Sequence, residues 1–600
     1  MRVHQPGGHL MRGGRAQVED WSWGQTKRRL TALYRLARPY KGRTAIAILS
    51  LLGATAVSLL PPYLLGRTID EVSHGNTSTL GWLVLAFVGA GALGIAFSYA
   101  QTFYTGWTGE RMLADLRGQL FGHLQRLSLG FYERNRAGVI ISRLTNDVEA
   151  LDQLVTDGVT SLVQNTLLLV GTVVVLFFLD WRLALASLIV MPAVTFATAV
   201  FRKRSGRAYR RVRETLGAVT ATLAEDIAGM RVLQSFTREN AARENFRVVS
   251  DRYRDSNMQT VVLSGVYFPV VDFISSAATA VVLGYGSYLA FNHELTIGVL
   301  IAFLAYLTNF FDPVQQLSQL YNTFLSAVAA LDKITDVMDE EPEVRDTDDA
   351  RELDRIDGHV TFDNVRFAYG RGPEVLHGID LHVPAGTTVA LVGHTGAGKS
   401  TIAKLLARFY DPTEGAITID GVDLREASQA SLRRQLGIVP QEGFLFAGTV
   451  AENIAFGRRE AGRDEIVAAA RAVGADEFIE RLEDGYETQL GERGSRLSLG
   501  QRQLVAFARA LLADPRILIL DEATSSVDIG TERKIERALR RLLHGRTAFI
   551  IAHRLSTIRD ADLIVVLEHG KVIEQGTHDE LLALRGLYTS LYGDWAADAA

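Results

Sequence analysis

Long uncharged apolar runs alternate with arginine-rich stretches along the first half of the chain, whereas from His359 short β-branched or aromatic runs alternate with segments of helical spacing. Crossing a bilayer takes about 20 consecutive apolar residues, and six stretches qualify as expected spans, near 44–66, 80–103, 158–179, 183–201, 261–289 and 297–324. Only Asp180, Trp181 and Arg182 separate the third from the fourth, which predicts a tight hairpin. The stretches 104–157 and 201–260 carry many arginines, among them Arg202, Arg204, Arg207, Arg210, Arg211 and Arg213, so the positive-inside rule places them and both termini in the cytoplasm. Leu, Val, Phe and Ala recur through both at three and four residue spacing, which predicts helices continuing out of the membrane. Between the helical arms lie FYERNRAGVIISRLTNDVEAL, 131–151, and GMRVLQSFTRENAARENF, 229–246, which pattern alone reads as solvated hairpin tips.

The first 26 residues are polar and Gly-rich with no signal-like apolar core, and read as a flexible cytoplasmic tail. Next, Leu30, Leu33, Tyr34 and Ala37 fall on one helical side with arginines on the other, a pattern that predicts a basic interfacial helix ending near Arg43. Pro61 and Pro62 are expected to kink the first span. Asp272 and Asp312 are the costly residues within spans; Asp312 precedes Pro313 and can satisfy backbone groups freed by a kink, while Asp272 is a candidate for a substrate cavity. The expected organisation is a tail at 1–26, a six-helix transmembrane domain with cytoplasmic extensions at 27–331, an acidic linker at 332–357, an α/β domain at 358–590 and a short tail at 591–600.

A chain of 600 residues exceeds a single core, which seldom grows beyond roughly 250 to 300 residues. The net charge of −5 gives no basic excess of the kind nucleic-acid binders show. With no cysteine, disulfides, thiolate metal sites and cysteine nucleophiles are excluded.

The chemistry centres on GHTGAGKST, 393–401, which follows the apolar run Val389–Val392 and opens a helix-like stretch. The spacing is that of the P-loop. Gly393, His394, Thr395, Gly396, Ala397 and Gly398 would aim successive N–H groups at phosphate oxygens, Lys399 would reach the β and γ phosphates, and Ser400, with Thr401 beside it, would offer a hydroxyl to Mg²⁺. ILILDEA, 517–523, reads as a buried strand ending in two carboxylates, Asp521 near the metal's water shell and Glu522 one residue further.

In this company LSLGQ, 497–501, is the discriminating element, and the chain resembles a half-transporter of the ATP-binding cassette (ABC) family with the exporter fold over about residues 27–590. The resemblance implies that Ser498, Gly500 and Gln501 close over ATP held by the P-loop of a second subunit. It implies that Tyr369 stacks on adenine, Gln441 links Mg²⁺ to the membrane domain and Asp528 joins the two sites. GERG, 491–494, is similar to the additional coupling loop of exporters, and pieces near 131–146 and 229–240 would hold the coupling helices. Glu522 would accept or orient the proton of the attacking water while His553 senses the γ phosphate.

One departure from the family pattern is Leu499, where a second glycine is usual. Together with a retained Glu522 it favours a heterodimer over a homodimer. An importer on the same fold is the alternative, and a soluble ABC-type ATPase of nucleic-acid metabolism a remote one, since it would lack the spans. The resemblance implies ATP and Mg²⁺ as cofactors, a lipid bilayer of the inner membrane type, an amphipathic drug or lipid as substrate, and no nucleic acid.

Overall fold

The computed structural model describes residues 37–599 except Thr77, Glu442, Glu522–Asp528 and His553. By contacts the chain divides into two units, one holding the residues up to Gln125 together with Ala137–Glu340, the other Arg126–Arg136 together with Glu341 onward.

In the first unit, five helices among the described residues are long and apolar enough to cross a membrane: α1, Arg38–Ser73; α2, Leu80–Leu124; α4, Ala137–Leu179; α5, Trp181–Ala228; and α7, Glu239–Phe291. A sixth, α8, Ile297–Met338, is apolar over Ile297–Pro313. Short helices stand at two turning points, α3 at Leu129–Arg134 and α6 at Met230–Ser235. All six expected spans fall on these helices, most of which run on well past the apolar stretch. The expected interfacial helix lies mainly outside the described residues, but its end is tied to α2: the Tyr40 hydroxyl donates to Asp115 at 2.5 Å and the Arg43 guanidinium lies 3.4 Å from the Trp107 ring centre.

The α1 helix is interrupted at Leu59, just before Pro61 and Pro62 enter the next turn without N–H donors. The Tyr306 hydroxyl donates to the Leu59 carbonyl at this break. The hairpin between the third and fourth spans is tighter than the sequence suggests. Asp180 alone separates the helices and caps the second, accepting the Arg182 and Leu183 N–H groups at 2.8 and 2.9 Å. A second cap crosses the unit: Asp70, near the end of α1, accepts the Thr296 hydroxyl at 2.7 Å and the Gly298 N–H at 2.8 Å, at the start of α8. The helices meet there because both contact positions are glycine. A Cβ on Gly66 would stand 2.4 Å from the Gly298 carbonyl oxygen, and one on Gly298 would stand 2.1 Å from that of Gly66. Asp272 and Asp312 both lie exposed on their helices.

Among the described residues the second unit has two sheets. Strands β1 (Val360–Ala368), β2 (Glu374–Val383), β4 (Glu414–Ile419) and β5 (Val422–Asp423) form an antiparallel sheet in the order β2-β1-β4-β5. The larger sheet holds β3 (Thr388–Val392), β6 (Leu436–Val439), β7 (Ile517–Asp521), β8 (Thr547–Ile551), β9 (Leu563–Glu568) and β10 (Lys571–Gly576) in the order β10-β9-β3-β8-β7-β6, parallel except at β10. Every residue of β8 is buried, as are the first four of β7, which is why both read as unbroken apolar runs. The chain from Glu341, part of the expected linker, is docked onto this unit. Arg408, 1% exposed, donates to the Asp346 carboxylate at 3.2 Å and to the Arg345 carbonyl, while Ser431 and Gln435 hold the Leu353 and Ile356 N–H groups. An acidic stretch looks like a free linker in composition because its buried arginine partner lies far along the chain.

Candidate active site

Register decides where the chemistry collects. Strands β3 and β7 both pair in parallel with β8, and β6 pairs in parallel with β7, so all four end at the same edge of the sheet. Leu391 and Asp521 each pair with Ile551, and Val439 pairs with Leu520. That edge therefore releases the loop 393–398, Asp521, the turn bearing Gln441, and the segment two residues before His553. Carboxyl ends of parallel strands are where open α/β sheets bind ligands.

The loop after β3 keeps Gly393, Gly396 and Gly398 at φ of 146°, 86° and 107°, a backbone region that side chains rarely tolerate. A Cβ at Gly393 would stand 2.1 Å from the Leu567 carbonyl oxygen, so the turn has no room for another residue. Helix α9, Lys399–Leu406, starts directly behind it with Gly398 at its N-cap. The Lys399 ammonium is folded back across the loop and donates to the Gly393 and His394 carbonyls at 2.7 and 3.0 Å. Burial pushes it below the ordinary lysine range, with the Asp521 carboxylate opposing the shift. Ala397 is buried, while His394, Thr395, Gly396 and Ser400 are exposed. Thr401 is buried and exchanges a hydrogen bond with the Tyr369 hydroxyl at 3.1 Å. Positive loop dipoles, an ammonium and hard oxygen donors at Ser400 and Asp521 make a donor set that fits a nucleoside triphosphate and Mg²⁺.

Ser498 caps helix α10, Leu499–Ala513, and is exposed. It accepts the Gln501 N–H at 3.3 Å and the Gln501 side chain accepts the Ser498 N–H at 2.9 Å, a reciprocal capping box. Gly500 is buried and Leu499 half-buried. Leu497 and Leu504 beside this turn belong to one hydrophobic cluster, whereas Ala397 and Ile402 of the P-loop belong to another. Alternate residues of β3 divide between the same two clusters, Val389 and Leu391 with the P-loop residues and Ala390 and Val392 with Leu497 and Leu504, so α9 and α10 pack on opposite faces of the larger sheet. Gln441 is exposed. In GERG, Arg493 has a φ of 53° and Gly494 packs on Leu445. Glu522, Asp528 and His553 lie outside the described residues.

Arg509 is a neighbour that motif spacing missed. It donates from α10 to the Phe444 carbonyl at 3.0 Å and to the Asn453 carbonyl at 2.9 Å, which ties the turn after Gln441 to the helix after Ser498. An arginine in a helical run carries no signal that its partner is a carbonyl 65 residues earlier.

The match of sequence to known proteins agrees with this architecture. Residues 44–314 match the ABC transporter transmembrane region and residues 376–525 match the ABC transporter family. The chain is 42% identical over 576 residues to the ABC transporter ATP-binding protein YknV of Bacillus subtilis, covering 96% of this chain and 95% of that one. It is 39% identical over 561 residues to the ATP-dependent lipid A-core flippase of Syntrophus aciditrophicus, covering 93% of each. A bacterial Atm1-family ABC exporter with ATP bound superposes with a TM-score of 0.77 at 34% identity, covering 93% of this chain and 98% of that one. The chain belongs to the ABC transporter family and has its exporter fold. It is a membrane protein that binds ATP and couples its hydrolysis to transport, and half-transporters of this kind generally act as dimers.

Proposed function

We propose that the chain is one half of a dimeric exporter that uses ATP and Mg²⁺ to move an amphipathic small molecule or lipid out of the inner leaflet by alternating access. The observation that carries the nucleotide half is the shared sheet edge, where the glycine loop, Lys399 and Asp521 converge. Ser400, Gln441 and Asp521 would hold Mg²⁺, which neutralises phosphate charge when bound. Lys399 is the cation that shifts from its loop carbonyls to the phosphates, Tyr369 receives the adenine face, and Glu522 takes the proton of the attacking water with His553 orienting the γ phosphate. Ser498, Gly500 and Gln501 complete the site of a second subunit, and Asp528 lies between the two sites. The packing of α9 and α10 on opposite faces of the sheet supports this reading.

A cavity of about 610 Å³ in the membrane unit supports the substrate reading. Arg204, Arg207, Arg211, Met258, Gln259 and Val262 line it, with one carboxylate, Asp255. Its position just past the apolar parts of α5 and α7 matches the depth of lipid head groups, and its mix of arginines with apolar walls fits an amphipathic anion. The Syntrophus relative is named for moving a lipid, lipid A-core. The arginine-rich helical extensions support a cytoplasmic soluble unit and cytoplasmic termini, in a bacterial inner membrane. Leu499 with a retained Glu522 favours a heterodimer. Mg²⁺-dependent ATPase activity of the chain alone in lipid, with its oligomeric mass, tests the reading. A dimer whose hydrolysis vanishes in Glu522→Gln supports a homodimeric exporter, and a monomer that binds ATP without turnover points to a distinct second half.

A further inference from the structure

The soluble unit contains one piece that sequence order assigns to the membrane half, Arg126–Arg136, which includes α3. The piece is held by charge and by close approach. Arg134 pairs with Glu343 at 2.5 Å, Phe131 is buried, and a Cβ on Gly130 would stand 3.0 Å from the Tyr410 ring. Glu133 uses both carboxylate oxygens: one accepts the Lys404 ammonium at 2.8 Å, the other the Tyr410 hydroxyl at 2.8 Å. Both partners touch Tyr369. The Tyr410 ring stands edge-on to it, with centroids 5.2 Å apart and planes at 90°, and the Lys404 ammonium lies 5.4 Å from its ring centre. Phe367 closes the cluster at 4.8 Å from Tyr369 and 5.5 Å from Tyr410. Lys404 and Thr401, which meets the Tyr369 hydroxyl, both project from α9, the helix that opens with Lys399. Burial and the bond to Glu133 both raise the Tyr410 hydroxyl above the ordinary tyrosine range, so it stays protonated and donating.

We propose that Glu133 is a positioning residue for the nucleotide base: by holding Tyr410 and Lys404 together it fixes the plane of Tyr369, so that affinity for adenine depends on docking of the 126–136 loop. By linkage, a bound base then strengthens the seat of that loop by the same factor. The inference rests on the reading of Tyr369 as the adenine-stacking residue, and the test separates the two.

The full-length protein in lipid would be titrated with ATP and with inorganic triphosphate, which fills the phosphate loop but has no base. Glu133→Gln is expected to weaken ATP binding and raise its KM by roughly three- to tenfold, the scale of one charged hydrogen bond that is partly exposed. Triphosphate affinity and kcat should change less than about twofold. In a Tyr369→Ala background, Glu133→Gln should add nothing further. Tyr410→Phe, which removes one hydroxyl and keeps the ring, should shift ATP affinity in the same direction by less, and serves if Glu133→Gln does not fold. Equal loss of ATP and triphosphate affinity, or a fall in kcat with ATP affinity intact, would overturn the proposal. If Tyr369→Ala weakens ATP selectively while Glu133→Gln and Tyr410→Phe are both silent, the positioning role alone fails. If Tyr369→Ala leaves the ratio of ATP to triphosphate affinity unchanged, the stacking reading falls and the positioning role with it.

Discussion

The sheet edge of the soluble unit and the seam between α1 and α8 in the membrane unit both leave no room for one added methyl, yet reach that fit differently. At the edge, fit comes from contiguous residues: the nine positions 393–401 fold back on themselves, and strand register supplies Asp521 from the second neighbour. At the seam, it comes from single residues far apart, Asp70 bonding Thr296 226 positions later while Gly66 meets Gly298. Chemistry on phosphate needs several backbone N–H groups in one turn, so it leaves a continuous motif. Helix packing in lipid needs only that small residues face each other, so it leaves isolated glycines among many.

Lys399→Ala breaks the edge with the largest expected effect. Removing the cation proposed to reach the phosphates should lower Mg²⁺-dependent ATPase activity by about 10²–10³-fold, the loss typical of one preorganised electrostatic group. Folding should be nearly unchanged in a thermal melt, because the buried ammonium already carries a desolvation cost. A variant retaining more than a tenth of the activity would contradict the role.

Gly298→Ala breaks the seam instead. Its new methyl would fall 2.1 Å from a backbone oxygen and 2.4 Å from the Asp70 carboxyl carbon, neither of which can step aside cheaply. Overpacking of this kind costs about 1–3 kcal/mol, readable as a lower melting temperature in detergent with the isolated ATP affinity preserved. Asp70→Ala tests the same seam more gently. Losing a cap that accepts two donors should cost about 1–2 kcal/mol, and no change in the melt would show that the contact is idle. Leu499→Gly gives the smallest effect: the residue is half-buried in the first turn of α10, and the phosphate contacts proposed for this turn fall to Ser498 and Gly500. ATPase activity of the assembled dimer should stay within about twofold, the span of a surface change near 0.5 kcal/mol.

The same contrast explains what the sequence made legible. The six spans, the tight turn at Asp180 and the α/β half follow from apolar run length and strand patterning, and each has its element in the fold. The P-loop could be read because its glycines, lysine and serine are adjacent. The bond between Glu133 and Tyr410 joins positions 277 apart, so no local pattern announces it, and FYER looks like any solvated tip. The docked linker was hidden for a related reason: Asp346 is one acid among many until Arg408 is folded against it. Arg509 belongs with these, an ordinary helical arginine whose partners are backbone carbonyls.

Vectorial transport tests the central claim most directly. The assembled dimer, this chain with whichever second half it takes, reconstituted with the soluble unit facing outward in vesicles, would be given ATP and Mg²⁺ and a fluorescent anionic phospholipid analogue in the outer leaflet, with Glu522→Gln in parallel vesicles. ATP-dependent loss of the analogue from the outer leaflet in the native chain, and none in the variant, is the predicted result. Steady ATP hydrolysis, abolished in the variant, with no movement of this or any amphipathic probe toward the lumen would contradict it.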